Sequence, residues 1–148
     1  MSMLALMLGR GPAGLPPVEP VDFARLVLPP SPNTHLMAPP GVTTERHENV
    51  PLLPVSAEAA YAALRMLGED VERCWKLAEW PDRRQVQWVV RTRWANFPDI
   101  IVGQVVALAG GAGVFLYSRS LVGWSDLGVN RERLVQWRAR LEDALRAP

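Results

Sequence analysis

Residues 85–122 read QVQWVVRTRWANFPDIIVGQVVALAGGAGVFLYSRSLV, and three runs within this stretch decide the fold. Gln85 to Trp94 alternates. Val86, Trp88, Val90, Thr92 and Trp94 share one face, while Gln85, Gln87, Val89, Arg91 and Arg93 share the other, the period-2 pattern of a half-buried strand. Asn96-Phe97-Pro98-Asp99 breaks the run. Ile100 to Ala109 is apolar on both faces, as a central strand covered on both sides must be. Gly110-Gly111-Ala112-Gly113 then turns the chain into Val114 to Val122. Three strands joined by short turns predict an antiparallel meander.

Helical patterns flank the meander. On the C-terminal side, Leu134, Trp137, Leu141 and Leu145 form one apolar stripe. Asn130 reads as its N-cap, Glu132 sits where the helix dipole favours an acid, and Val129 and Leu134 are spaced for a hydrophobic staple. On the N-terminal side, Ser56 reads as a cap for Ala57, Ala60, Tyr61, Leu64 and Leu67, with Gly68 closing the helix. Val71 to Trp80 is ambiguous, compatible with a first strand that ends at Pro81-Asp82.

Proline sets the remainder apart. Eleven of the 14 prolines lie within the first 54 residues, where each fixes φ, removes an amide donor and biases its predecessor toward extended geometry. The expectation is therefore an α+β protein: an antiparallel sheet of three to five strands packed by two helices in a domain at 55–148, preceded by a long proline-rich extended arm at 1–54. The arm carries spaced apolar residues, among them Leu4, Leu6, Leu8, Phe23 and Leu26. A purely solvated linker has no use for them, so the arm should lie on a surface, its own or a partner's.

The 148 residues carry 16 basic and 15 acidic side chains, for a formal net charge of +1. No single-sign field steers nucleic acid, and no nucleic-acid motif is present. Cys74 is the one cysteine, which excludes an intramolecular disulfide and a cysteine-based metal cluster; flanked by Arg73, it reads as a small core hydrophobe. No apolar run reaches the ~18 residues of a spanning helix, and the apolar opening lacks the charged n-region and cleavage site of an export signal.

Catalytic patterns are missing. The glycine run at 110–113 has a β-rich run after it and no phosphate-binding lysine, so it reads as a hairpin turn. Both histidines, His35 and His47, fall in the proline arm, and no G-x-S-x-G elbow exists. His47 with Glu45 and Glu48 offers one nitrogen and two oxygens to a metal, but adjacent loop charges are ordinarily solvated. No cofactor pattern appears. Of six tryptophans, Trp88, Trp94 and Trp137 fall on expected core faces, while Trp80 and Trp124 flank turns and suit a partner surface. Arg91 and Arg93 share a strand face and Arg119 lies on a neighbouring strand, with Asp99 and Asp126 in turns nearby. That set is either a salt-bridged cluster or an anion site, since arginine forks match carboxylates and phosphates.

The stretch LYSRSLVGWSDLGVNRER at 116–133 resembles the closing motif of the bacterial and plastid family called domain of unknown function 1499: S-R-S, a hydrophobic pair, G-x-S-D-L-G-x-N and R-x-R entering the last helix. Ser31-Pro32-Asn33 is similar to the family's S-P-N element and Phe97-Pro98-Asp99 to its F-x-D element, so the likeness spans residues about 21 to 146. Here Pro30 precedes Ser31 and Thr34-His35-Leu36 follows Asn33, where many members carry cysteines, and the membrane segment of many members has no counterpart. The family implies fold kinship and no reaction. By matched position it implies that Ser31, Asn33, Asp99, Arg119, Ser120, Asp126 and Asn130 form one polar cluster, with Asp126 bonding turn amides and pairing with Arg119.

The expected function is that of a non-catalytic accessory or interaction protein whose arm docks onto a larger protein assembly, using Leu4, Leu6, Leu8, Phe23, Leu26, Trp80 and Trp124. The expected location is the cytoplasm, free or at the periphery of a membrane complex. The alternative is a domain that binds a small anion with Arg91, Arg93 and Arg119. A third reading, an enzyme, lacks a base in the domain.

Overall fold

Strand β4 (Gln85–Arg91) is buried along its whole length, so both of its faces, the polar one included, need a cover. It pairs antiparallel with β3 (Cys74–Trp80) on one side and with β5 (Pro98–Leu108) on the other. A tight hairpin through Gly110, whose φ of 94° suits only glycine, returns the chain as β6 (Gly111–Ser120). These four strands form the antiparallel meander. The computed structural model describes residues 2–146; the outermost residues of the expected arm and domain, Met1, Ala147 and Pro148, lie outside them.

The expectation of an antiparallel sheet of three to five strands packed by two helices is corrected. The sheet has six strands in the order β2-β1-β6-β5-β4-β3. Strand β1 (Thr34–Ala38) pairs antiparallel with β6, and β2 (Glu48–Asn49) runs parallel to β1, which makes the sheet mixed. Among the described residues three α-helices accompany it: α1 (Met3–Leu8), which is short, α2 (Ala57–Leu64) and α3 (Val129–Arg146). The physical reason lies in the prolines. Pro32 and Pro39 frame a proline-free run just long enough for β1, and the extended geometry that they favour is strand geometry. Residues 34–38 and 48–49, within the expected arm, are thus strands of the sheet.

Helices α2 and α3 pack on one face. Leu64, Leu67, Leu134, Trp137 and Leu141 meet Val86, Trp88, Ile101, Val105 and Leu116 there, and Trp88 meets Trp137 edge to face at 5.0 Å. A Cβ at Gly103 would stand 2.8 Å from a Leu64 methyl, so a glycine in β5 lets α2 approach. The opposite face is covered by residues 15–28. Phe23 is buried there, stacked on Phe115 at 4.6 Å and edge-on to Tyr117 at 6.3 Å.

The outward-reading side of β4 holds this cover down. Gln85 exchanges two hydrogen bonds with the Val21 backbone, donating at 2.9 Å and accepting at 2.8 Å, and Gln87 donates to the Glu19 carbonyl at 2.8 Å. Arg91, 1% exposed, donates to the carbonyls of Leu6, Gly11 (2.9 Å) and Ala13 (2.8 Å), and to that of Asn96 at 3.1 Å.

Two outcomes test this arrangement. Deleting residues 1–50 removes β1 and β2 together with the second cover, and the remaining chain should show no cooperative thermal unfolding. Phe23→Ala should lower the unfolding free energy by about 3–5 kcal/mol in a urea titration.

Candidate functional site

One end of the sheet gathers the β4–β5 loop (92–97), the β6–α3 loop (121–128), the 29–33 segment and α1. The β4–β5 loop is closed by its own backbone. Thr92 Oγ1 accepts from the Phe97 amide at 2.9 Å and the Thr92 carbonyl accepts from Asn96 at 3.0 Å. Asn96 adopts a φ of 57°, a left-handed conformation that asparagine tolerates, and its Nδ2 donates to the carbonyls of Met7 (2.6 Å) and Gly9 (2.7 Å). Helix α1 is thereby tied to this loop.

The β6–α3 loop is organised by Asp126 and Asn130. Asp126 accepts from the Gly128 amide at 2.8 Å and the Asn130 amide at 3.0 Å, closing the first turn of α3. Asn130 was expected to cap the helix; instead it lies inside α3, fully buried, and its side chain ties several elements together. Its Nδ2 donates to Asp126 (2.6 Å), to Ser120 Oγ (2.8 Å) and to the Asn33 carbonyl (3.0 Å), and its Oδ1 accepts from Ser118 and from Arg133. Asn33 in turn donates to the Gly123 carbonyl at 2.7 Å and accepts from Ser31 at 2.8 Å. Arg133 Nη2 lies 2.9 Å from the buried Asp99 carboxylate.

Ser31, Asn33, Asp99, Ser120, Asp126 and Asn130 are therefore brought into one network, with Arg133 joining Asp99 to it. Arg119 is not. It lies on the opposite face of β6, lining a cavity of about 230 Å³ between the sheet and residues 15–21. Asp126 pairs with amides and not with Arg119. The three arginines of the expected anion site do not converge. Arg91 is spent on backbone carbonyls, Arg93 is exposed with its guanidinium 5.3 Å over the Trp94 ring, and Arg119 is separated from Arg91 by β5.

The network's two carboxyls differ. Burial pushes Asp99 above the usual carboxylate range, with Arg133 and the Ser120 hydroxyl opposing. Burial also acts upward on Asp126, but its hydrogen bonds from Asn130 and Gly128 outweigh it and hold the group below its ordinary value. The histidines meet elsewhere, stacked at 5.1 Å. His35 Nε2 is 3.1 Å from Glu48, which Arg131 also reaches at 3.0 Å, while His47 Nδ1 accepts from the Leu36 amide at 3.0 Å. Glu45 accepts from the Leu28 amide, so Glu45, His47 and Glu48 do not face one point. Burial pushes the Cys74 thiol up to about 11, which makes it a poor nucleophile.

The residues expected to bind a partner divide. Leu6 and Phe23 are buried and Leu26, part of the cover, packs against the protein's own sheet. Trp80 is half-buried at the end of β3. Leu4, Leu8 and Trp124 are exposed. Trp94, read as a core residue, is 91% exposed, because β4 ends at Arg91 and the loop carries Trp94 past the sheet. Leu127 joins it at 95% exposure, held at a φ of 55° that is unfavourable for leucine. Between the two loops lies a cavity of about 220 Å³, lined by Phe97, Asp99, Ser120, Val122, Asp126 and Val129 among others. Sequence reasoning missed Gln85 and Gln87 as clasps for the N-terminal segment and Arg133 as the partner of Asp99; the R-x-R of the closing motif was the available signal for Arg133.

Arg133→Met should destabilise the protein by about 3–5 kcal/mol, because it strands a buried carboxylate, and adding Asp99→Asn should restore part of that loss. Asp126→Ala should cost about 1–3 kcal/mol at neutral pH. Since the folded carboxyl sits below its unfolded value, its contribution is complete above about pH 4 and is lost as pH falls through the folded value. Urea midpoints of wild type and Asp126→Ala should therefore converge in acid.

No curated protein matches the chain. Among solved structures, the crystal structure of protein CV1439 from Chromobacterium violaceum is similar at 13% identity and a TM-score of 0.48, over 78% of this chain and 99% of that one. Residues 27–141, from the segment before β1 to the last buried turn of α3, match the family described as Protein of unknown function (DUF1499), and the chain belongs to that family.

Proposed function

We propose that the protein is a non-catalytic interaction protein that docks onto a larger protein assembly through the loop end of its sheet. The observation that supports this reading is the pair of loops flanking the 220 Å³ cavity. Both are tightly hydrogen-bonded, and the β6–α3 loop holds Trp124 and Leu127 out in solvent. Large apolar side chains on a fixed scaffold beside a concave pocket are what a partner's anchor residue requires. The inward residues of the N-terminal segment are engaged with the protein's own sheet, so docking falls to this end and not to a detached arm. The polar groups around the pocket are already paired with one another, which argues for an architectural role over acid–base chemistry.

Native co-purification without crosslinker, comparing wild type with Trp124→Ser/Leu127→Ser, tests the reading. The expected outcome is one stoichiometric protein partner that the double variant loses while its melting temperature is unchanged. Retention of that partner by the variant would move docking elsewhere.

A second reading is favoured by Arg119, which has neither a hydrogen-bond acceptor nor a carboxylate partner among the described residues and borders a mixed polar and apolar cavity that Glu19 and Gln87 also line. It supports the binding of a small organic carboxylate. A carboxylate that raises the melting temperature of wild type and leaves Arg119→Met unaffected would establish it.

A further inference from the structure

The corner where α1 meets the β4–β5 loop carries two features that the protein-docking reading does not use. Met3, Leu4 and Leu8 stand out from α1 at 60–74% exposure, while only Leu6 turns inward. Trp94 projects beside them from the loop that Asn96 ties to Met7 and Gly9. Arg10 and Arg93 are exposed on the same two segments, whereas Arg73 is half-buried and Arg91 buried. Arg73 donates to the Arg91 carbonyl and to Asn96 Oδ1, and Arg91 to backbone carbonyls only. None of the four has a carboxylate within 4.0 Å among the described residues. Segments 2–14 and 92–97 contain no acid at all. Glu69, Asp70 and Glu72, all exposed, precede Arg73 on the loop from α2, so the unbalanced positive charge of the corner is that of Arg10 and Arg93. The whole chain has a net charge of only +1, so this positive corner is a local feature.

We propose that this corner seats the protein on an anionic lipid surface, with Leu4, Leu8 and Trp94 entering the headgroup boundary and Arg10 and Arg93 meeting lipid phosphates and carboxylates. A bilayer accepts protruding apolar side chains without a matching pocket, and Leu4, Leu8 and Trp94 line neither the 220 Å³ nor the 230 Å³ cavity. Tryptophan favours the interfacial layer, and the exposed Arg10 and Arg93, on segments without acids, complement anionic headgroups. The short α1 is no spanning element; no helix among the described residues is long and apolar enough to cross a membrane. The attachment is peripheral and, being partly electrostatic, salt-sensitive.

Sedimentation of the full chain with vesicles tests the proposal. Phosphatidylcholine vesicles containing phosphatidylserine should retain at least about tenfold more protein at low salt than phosphatidylcholine alone, the direction set by charge attraction. Added salt should reduce the difference, and both Arg10→Gln/Arg93→Gln and Leu4→Ser/Leu8→Ser/Trp94→Ser should lose it with unchanged circular dichroism. Equal retention by the two vesicle types, or none, would overturn the lipid assignment. Trp124→Ser/Leu127→Ser should keep vesicle binding, so failure here and failure of the protein-docking reading are seen separately. If a protein partner is instead lost by Leu4→Ser/Leu8→Ser/Trp94→Ser while neither vesicle binds, the corner is a protein surface and the proposal falls.

Discussion

A sheet with both long helices on one face must hide its other face from water, and here the chain does so with a segment that cannot form a long helix or another central strand. That requirement governs the N-terminal third. Proline fixes extended geometry and removes amide donors, so a proline-rich cover presents mostly carbonyl acceptors to whatever lies beneath it. The buried side of β4 supplies the matching donors. Gln85 and Gln87 bind residues 19–21, and Arg91 gathers the carbonyls of Leu6, Gly11 and Ala13. A guanidinium with five donors and no acceptor is suited to that surplus. Arg46 performs a similar task for residues 38–44, donating to the carbonyls of Pro39, Val42 and Thr44. Burial works against the charge on Arg91, with Arg73 adding to the effect, and the oriented carbonyls replace the water it loses.

This explains which parts of the fold were legible. The apolar stripes of α2 and α3 and the meander of β4, β5 and β6 follow from periodicity, because each buries one face against an apolar neighbour. Gln85, Gln87 and Arg91 alternate with Val86, Trp88 and Val90 as a solvent face would. Alternation cannot separate a face wetted by water from one hydrogen-bonded to a passing chain. The same ambiguity concealed β1. Thr34–Ala38 is short and proline-flanked, and nothing local indicates that β6 needs a partner on that edge. Only the pairing of Leu36 with Tyr117 and of Met37 with Leu116 makes it a strand.

The polar network was legible in membership and misread in wiring. Motif positions identified Ser31, Asn33, Asp99, Ser120, Asp126 and Asn130, but the helix pattern suggested that Asn130 caps and the matched positions that Arg119 pairs with Asp126. The pleat decides otherwise. Ser118 and Ser120 point toward α3, whereas Arg119 between them must point toward the cover. Asp99 is the β5 partner of Ser120 in register and so shares its side, which leaves it to an arginine on α3, one turn beyond Asn130.

That wiring also governs the surface. A loop bearing exposed leucine and tryptophan ordinarily folds those side chains back onto the protein, since free rotation costs little and burial is favourable. Here Asp126 and Asn130 fix the backbone at both sides of Leu127, and Asn33 holds the Gly123 carbonyl next to Trp124. The Thr92–Phe97 clasp does the same for Trp94. Hydrogen bonds worth about 1 kcal/mol each thus oppose the collapse of side chains whose burial would return a comparable amount. Because the backbone conformations are set before any encounter, a binding surface loses little loop entropy on contact. The buried polar network and the exposed apolar rim are therefore two aspects of one device: the first keeps the second in the solvent.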